Sequence, residues 1–206
     1  PPSLTTQLSS GVEKIYANDY AFAALKGSQV FAWGLDGYGA NAPADSGIVK
    51  VFASESAFAA LKSNASVVTW GNSFGGGAPS AEVLEELGGG VVDIVPNNYA
   101  FAALKASGKV VAWGAAGYGG DPANFYGGFD MTELDSDVEK VFPTSMGFVA
   151  IKTDGRVLEW GYYQTSTHLP ANLNGAGFAI SKIYSNGNGL MAALGTGASP
   201  RVVSWG

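Results

Sequence analysis

The only histidine of the chain, His168, lies in the segment QTSTHLP. A metal centre is built from three or four imidazole, thiolate or carboxylate ligands, and the chain has no second His and no Cys to join it. We therefore read His168 as a loop residue. The densest group of acids, Asp130, Glu133, Asp135, Asp137 and Glu139, lacks the alternating Asp/Asn order closed by Gly that wraps a calcium ion, so a solvated acidic loop is expected. No two carboxylates are placed by their context as a glycosidase pair, and the Ser and Thr hydroxyls have no His base near them in sequence. Glycine clusters such as GNSFGGG from Gly71 are not followed by the Lys-Ser or Lys-Thr of a phosphate loop. These residues give no catalytic group, cofactor or metal, and the chain is read as a non-enzyme.

Composition narrows the partners. The 206 residues are 47% hydrophobic and 12% aromatic, with 30 glycines and only 14% charged residues, which favours many short strands and tight turns over long solvent-facing helices. The net charge is −6 with 11 scattered Lys and Arg, so no basic stripe is available to neutralise phosphates and nucleic acid is not expected as a partner. No apolar run reaches the ~20 residues of a spanning helix. The start at Pro1 is read as a processed or trimmed N-terminus, and an organelle lumen or secretion stays open. The sequon Asn64-Ala65-Ser66 falls at an expected hairpin tip, where glycosylation would depend on secretion.

The elements that must carry any site are repeated. Trp33, Trp70, Trp113, Trp160 and Trp205 are each followed by Gly, at separations of 37, 43, 47 and 45 residues. Upstream of each stands an apolar anchor, Leu25, Leu61, Leu104, Ile151 and Leu194, preceded at three positions by Phe22, Phe58, Phe101, Phe148 and Met191. Further upstream come Ile15, Val51, Ile94, Val141 and Ile183, each three residues after another aliphatic residue. Three strand-length apolar runs in about 40 residues are the pattern of radial β arrays, nominally four strands to a blade. The run AFAAL is apolar on both faces and is expected as an inner strand. Asp154-Gly155 marks a hairpin. Each Trp is expected at a seam between blades, its indole N–H seeking a partner. The variable segments after each Trp-Gly carry most of the turn chemistry, and SAEVLEELGG from Ser80 has the cap, spacing and terminating Gly of a short helix.

The recurring order Val-x-x-Ile, AFAALK, turn, Val-x-x-Trp-Gly and a Gly-rich exit resembles the RCC1-type (regulator of chromosome condensation) β-propeller repeat across essentially the whole chain. It is also similar to repeats of algal proteins of unassigned role. The resemblance implies an all-β propeller in one domain, with repeats at about 1–34, 35–71, 72–114, 115–161 and 162–206. Relatives of this kind include nucleotide-exchange regulators that bind chromatin and bacterial β-lactamase inhibitors that work through propeller-face loops. Where the family often has Gly-His-x-x-x-Ala-Leu, this chain reads NDYAFAAL, SESAFAAL and NNYAFAAL. Relatives commonly close with seven blades; five repeats here imply a closed five-bladed ring or, alternatively, an open arc of a longer propeller.

Function is expected in the unequal exit segments. Their aromatic residues, Tyr38, Phe74, Tyr118, Tyr162 and Tyr163, are the candidate partner-binding residues, because aromatics on Gly-rich loops cover area at low entropic cost. The Lys after the anchor, Lys26, Lys62, Lys105 and Lys152, would form a partial ring, though a Lys ending a strand ordinarily just reaches water. The expected role is a non-catalytic interaction or structural module that docks onto another protein or multi-subunit complex as an accessory subunit or scaffold. The alternatives are a small-ligand or carbohydrate-binding propeller and an enzyme-inhibitor-type propeller.

Overall fold

In the computed structural model the described residues are 3–121, 130–162, 179–186, 191–196 and 201–205. Tyr163, His168 and Gly206 lie outside them. Five antiparallel sheets of three strands follow one another, each a meander in chain order. Sheet 1 holds β1 (Lys14–Ala17), β2 (Ala21–Lys26) and β3 (Gln29–Gly34). Sheet 2 holds β4 (Ile48–Ala53), β5 (Ala57–Lys62) and β6 (Val67–Gly71). Sheet 3 holds β7 (Val91–Pro96), β8 (Ala100–Lys105) and β9 (Val110–Gly114). Sheet 4 holds β10 (Val138–Thr144), β11 (Gly147–Lys152) and β12 (Val157–Gly161). Sheet 5 holds β13 (Ala179–Ser185), β14 (Met191–Thr196) and β15 (Val202–Trp205).

The AFAAL run is the central strand of its sheet. Its place between two hydrogen-bonded neighbours explains why both its faces are apolar: each face of each internal sheet is covered by a further sheet. The innermost position belongs to the Val-x-x-Ile strands, which lie side by side in the order β1, β4, β7, β10, β13. No fourth strand is present in any sheet among the described residues. The short helix expected after Ser80 is α2 (Ala81–Glu86), preceded in the chain by α1 (Leu4–Gln7); Ser80 caps α2 by accepting from the Val83 amide, and Leu87 is fully buried beneath it.

Sheet-to-sheet packing repeats one pattern. Ala21, Ala23, Leu25 and Val30 on the face of sheet 1 that looks toward sheet 2 meet Ile48, Val51, Phe58, Ala60 and Trp70 of sheet 2. The same pairing joins sheets 2 and 3, 3 and 4, and 4 and 5. Sheets 2 to 4 thus have a leading face bearing the large Phe and Trp, received by the Ala residues on the trailing faces of sheets 1 to 3, while Met191 and Trp205 of sheet 5 meet Val149, Ile151 and Val157 of sheet 4. Phe and Trp of one leading face stack, as Phe101 does on Trp113 at 5.2 Å between ring centroids.

The Trp at the seam satisfies its N–H across the interface. Trp70, Trp113 and Trp160 donate to the carbonyls of Gly39, Gly76 and Gly119, each at 3.0 Å and each in the exit loop of the preceding sheet. A side chain at those glycines would be strained: at Gly76, where φ is +97°, an added Cβ would stand 2.8 Å from the Phe101 ring. Trp205 donates instead to the Glu159 carboxylate.

Closure into a ring is not shown. The leading face of sheet 1 is open, with Phe22 45% exposed where Phe58, Phe101 and Phe148 are fully buried, and Ile15 57% exposed where Val51 and Ile94 are buried. On the trailing face of sheet 5, Tyr184 and Val202 are exposed as well.

Candidate functional site

In sheets 1 to 3 the exit loops are held by a polar residue four positions before the repeat Phe. In sheet 1 this is Asn18: its side-chain carbonyl accepts from the Tyr20 and Ala21 amides while its side-chain amide donates to the Tyr38 carbonyl at 2.8 Å. Asn97 does the same in sheet 3, binding the Tyr99 and Ala100 amides and the Tyr118 carbonyl, and adds a bond to the Gly147 carbonyl of sheet 4. Ser54 replaces the amide in sheet 2, accepting from the Ala57 amide and donating to the Gly75 carbonyl. One residue thus ties the first hairpin turn of a sheet to its own exit loop. The segments NDY, SES and NNY carried this signal as small polar residues at one repeat position, and it is a position sequence reasoning did not assign.

These ties bring the exit aromatics beside those of the first hairpin turns. Tyr38 lies 4.4 Å from Tyr20, centroid to centroid. Farther along, Phe74, Tyr99, Tyr118 and Tyr162 form one connected group across sheets 2 to 4: Phe74 meets Tyr99 edge-on at 5.8 Å, Tyr99 lies 4.4 Å from Tyr118, and Tyr118 stacks on Tyr162 at 5.5 Å. Phe74 and Tyr162 remain exposed. The structure therefore collects four of the five candidate aromatics on one end of the array, and the fifth, Tyr163, falls outside the described residues.

Inside this arc the ends of all five innermost strands converge on an open depression of about 620 Å³. Its lining is polar, with Asn18, Asp19, Ser54, Glu55, Asn97, Asn98, Ser145 and Asn186, and holds no Lys or Arg among the described residues. Main-chain bonds from the Asp19 amide to the Glu55 carbonyl and from the Glu55 amide to the Asn98 carbonyl link successive turns around the mouth. Tyr99 connects arc and mouth, because its hydroxyl bonds the Glu55 carboxylate; that bond, then burial and the nearby negative charge, raises the phenol above its ordinary range.

Elsewhere the charged groups are engaged in holding connecting segments. The lysines do not form a free cationic ring: Lys26, Lys105 and Lys152 donate to the carbonyls of Gln7, Glu86 and Glu133, and Lys62 pairs with Asp45. The acidic group is likewise consumed in ordinary structure. Asp130 caps a 3₁₀ turn over Met131–Leu134, Glu133 pairs with Arg156 and Lys152, and Glu139 pairs with Lys140. Among the described residues no three metal-ligating side chains converge. Asn64 is exposed at the β5–β6 turn, its side-chain carbonyl bonded to Ser66.

No protein-family model matches the chain, and no curated protein matches it in sequence. Solved structures do match. The CRINKLY WD40 ectodomain of the Arabidopsis thaliana receptor kinase ACR4 superposes with a TM-score of 0.59 at 21% identity, over 95% of this chain and 63% of that one. The fold is that of a β-propeller. Saccharomyces cerevisiae Prp20p, a structure described together with its binding to Gsp1p and histones, gives 0.58 at 17% identity over 90% of this chain and 55% of that one. Human WBSCR16 gives 0.56 at 16% identity over 89% and 59%. The propeller described here thus spans between about half and two thirds of the length of these structures, and its sheets are blades in the sense of that fold. No helix among the described residues is long and apolar enough to cross a membrane.

Proposed function

We propose that this chain is an RCC1-like propeller, one domain over its 206 residues, acting as a non-catalytic interaction module that docks onto a protein partner through the end face bearing the aromatic arc. The observation that carries this reading is the connected aromatic group Phe74, Tyr99, Tyr118 and Tyr162, with Phe74 and Tyr162 exposed, beside an acidic, polar mouth. Rigid aromatic side chains on pre-organised loops are what interface anchors consist of. Here the Asn18, Ser54 and Asn97 ties fix the loops before any partner arrives, so little ordering entropy is lost on binding. The same blades vary in their polar loop residues while keeping their apolar ones, which fits a single asymmetric partner better than repeated identical ligand sites.

Among the solved structures, yeast RCC1 (Prp20) was determined bound to Kap60, and a role as accessory subunit or scaffold is the corresponding reading for this chain. Affinity purification from the native source tests it: the wild-type chain is expected in a stoichiometric complex that is lost when Phe74, Tyr118 and Tyr162 are all replaced by Ser. Recovery as a free monomer that is retained on a glycan array would overturn the reading in favour of a carbohydrate-binding propeller.

A further inference from the structure

The turns between the second and third strands of blades 2, 3 and 4 share one hydrogen-bond frame. The Ala65, Gly108 and Gly155 amides donate to the carbonyls of Lys62, Lys105 and Lys152, and the amides of those lysines donate to the carbonyls of Ser66, Lys109 and Arg156. In each turn one side chain accepts from the amide two residues on: Asn64 from Ser66 at 3.1 Å, Ser107 from Lys109 at 3.4 Å and Asp154 from Arg156 at 2.9 Å. Amide, hydroxyl and carboxylate all serve, so the turn asks only for an acceptor oxygen. Blade 2 supplies more than that. The Asn64 side chain also carries its Nδ2 group, which makes no hydrogen bond among the described residues while Oδ1 accepts two. Ser66 brings a hydroxyl that donates to Asn64 Oδ1 at 2.7 Å, where blades 3 and 4 have Lys109 and Arg156.

We infer that Asn64 is the acceptor of an N-linked glycan, which carries with it passage through a secretory compartment. The transfer needs an Asn followed two residues later by Ser or Thr with no Pro between, and Asn64-Ala65-Ser66 is the only such triplet in the chain. In this step Asn64 Nδ2 bonds to the anomeric carbon of a sugar activated on a diphosphate. The bond from that carbon to the diphosphate oxygen breaks, and the nitrogen gives up one proton. The turn retains its acceptor oxygen throughout, so the glycan is compatible with the fold. Asn64 is exposed, and its surroundings are set by blades 1 to 3: the Ser63 amide binds the Gly47 carbonyl of the connection from blade 1, and the Ala65 carbonyl accepts from the Val91 amide of blade 3. The six residues of β5 separate this turn from Ser54 and Glu55 at the mouth, a distance of about 20 Å. The glycan therefore stands on the end of the array opposite the aromatic arc and leaves that face uncovered.

Peptide mapping of the protein from its native source tests the inference. Treatment with peptide-N-glycosidase in water labelled with heavy oxygen is expected to turn Asn64 into a labelled Asp. Native peptides in which Asn64 is unmodified throughout would overturn the inference. Expression of the chain through a eukaryotic secretory route gives a second measurement. The wild type is expected to lose apparent mass on glycosidase treatment, and Asn64→Asp and Ser66→Ala are expected to show no such loss. A mass loss that survives in Asn64→Asp would show that another residue is the acceptor, and a wild type whose mass does not change would refute the site altogether. Asn64→Asp keeps the acceptor oxygen of the turn, as Asp154 does in blade 4, so its circular dichroism is expected to match that of the wild type and a missing glycan does not reflect misfolding. The site and the arc lie on opposite ends of the array, so loss of this site leaves the proposed partner binding standing, and loss of partner binding leaves the site.

Discussion

Phe22 and Phe101 occupy the same repeat position in blades 1 and 3, carry the same side chain and stack on the same partner type, but one is 45% exposed and the other is fully buried. Truncation of both to Ala therefore separates the value of the interblade seam from everything local to the hairpin. Phe101 loses its whole buried surface and leaves a cavity against Gly76, Trp113 and Ala57, which costs about 3–5 kcal/mol. Phe22 loses about half of that burial and leaves little cavity, so transfer alone applies, about 1–1.5 kcal/mol. With a urea m-value on the order of 2 kcal/mol/M, the midpoints fall by about 1.5–2.5 M and about 0.5–0.75 M. Unfolding of dilute protein followed by Trp fluorescence and circular dichroism measures both. Equal shifts for the two variants would refute the reasoning, because they would mean that the leading face of blade 1 is covered within the monomer and that the five blades close.

Two further outcomes follow from the same geometry. Gly76→Ala forces both a left-handed backbone and a contact with the Phe101 ring, and is expected to cost about 2–4 kcal/mol, against about 1–2 kcal/mol for Gly37→Ala, where φ is +79° but no atom lies within 4 Å; denaturant titration of the pair compares them. The Arg156 guanidinium, then the Lys152 ammonium, holds the Glu133 carboxyl below its ordinary range. Since the folded value is the depressed one, this contribution to stability is complete above the usual carboxylate pKa and disappears as pH falls through the folded one. A carboxyl NMR titration is expected to show a low midpoint for Glu133 that rises toward normal in Arg156→Gln.

The Trp-Gly spacing, the Phe or Met three residues before each anchor and the helix after Ser80 were legible because each is a hydrophobic period or a cap, written in the residues that perform it. The seam position of the tryptophans followed from their one polar atom. The order of strands within a blade was not legible, since an apolar run reads the same at the axis or in the middle of a sheet, and only the pairing of β2 with both β1 and β3 decides between them. The aromatics were chosen as loop residues one by one. Their assembly into an arc depends on Asn18, Ser54 and Asn97, whose side chains bind main-chain groups about 20 residues away, a separation that no local pattern reports. The lysine contacts escaped notice for the same reason, being made to backbone carbonyls whose positions depend on the preceding connection.

The hydrogen bonds from Trp70, Trp113 and Trp160 end on main-chain oxygens, and a glycine carbonyl is the same group whatever sequence surrounds it. A blade consequently recognises its predecessor without reading that predecessor's side chains in the loop. Exit loops can lengthen, shorten or be exchanged between blades as cassettes, on the one condition that a glycine stays six residues beyond the tryptophan. The joint that holds the array together thereby leaves its loops free to diversify.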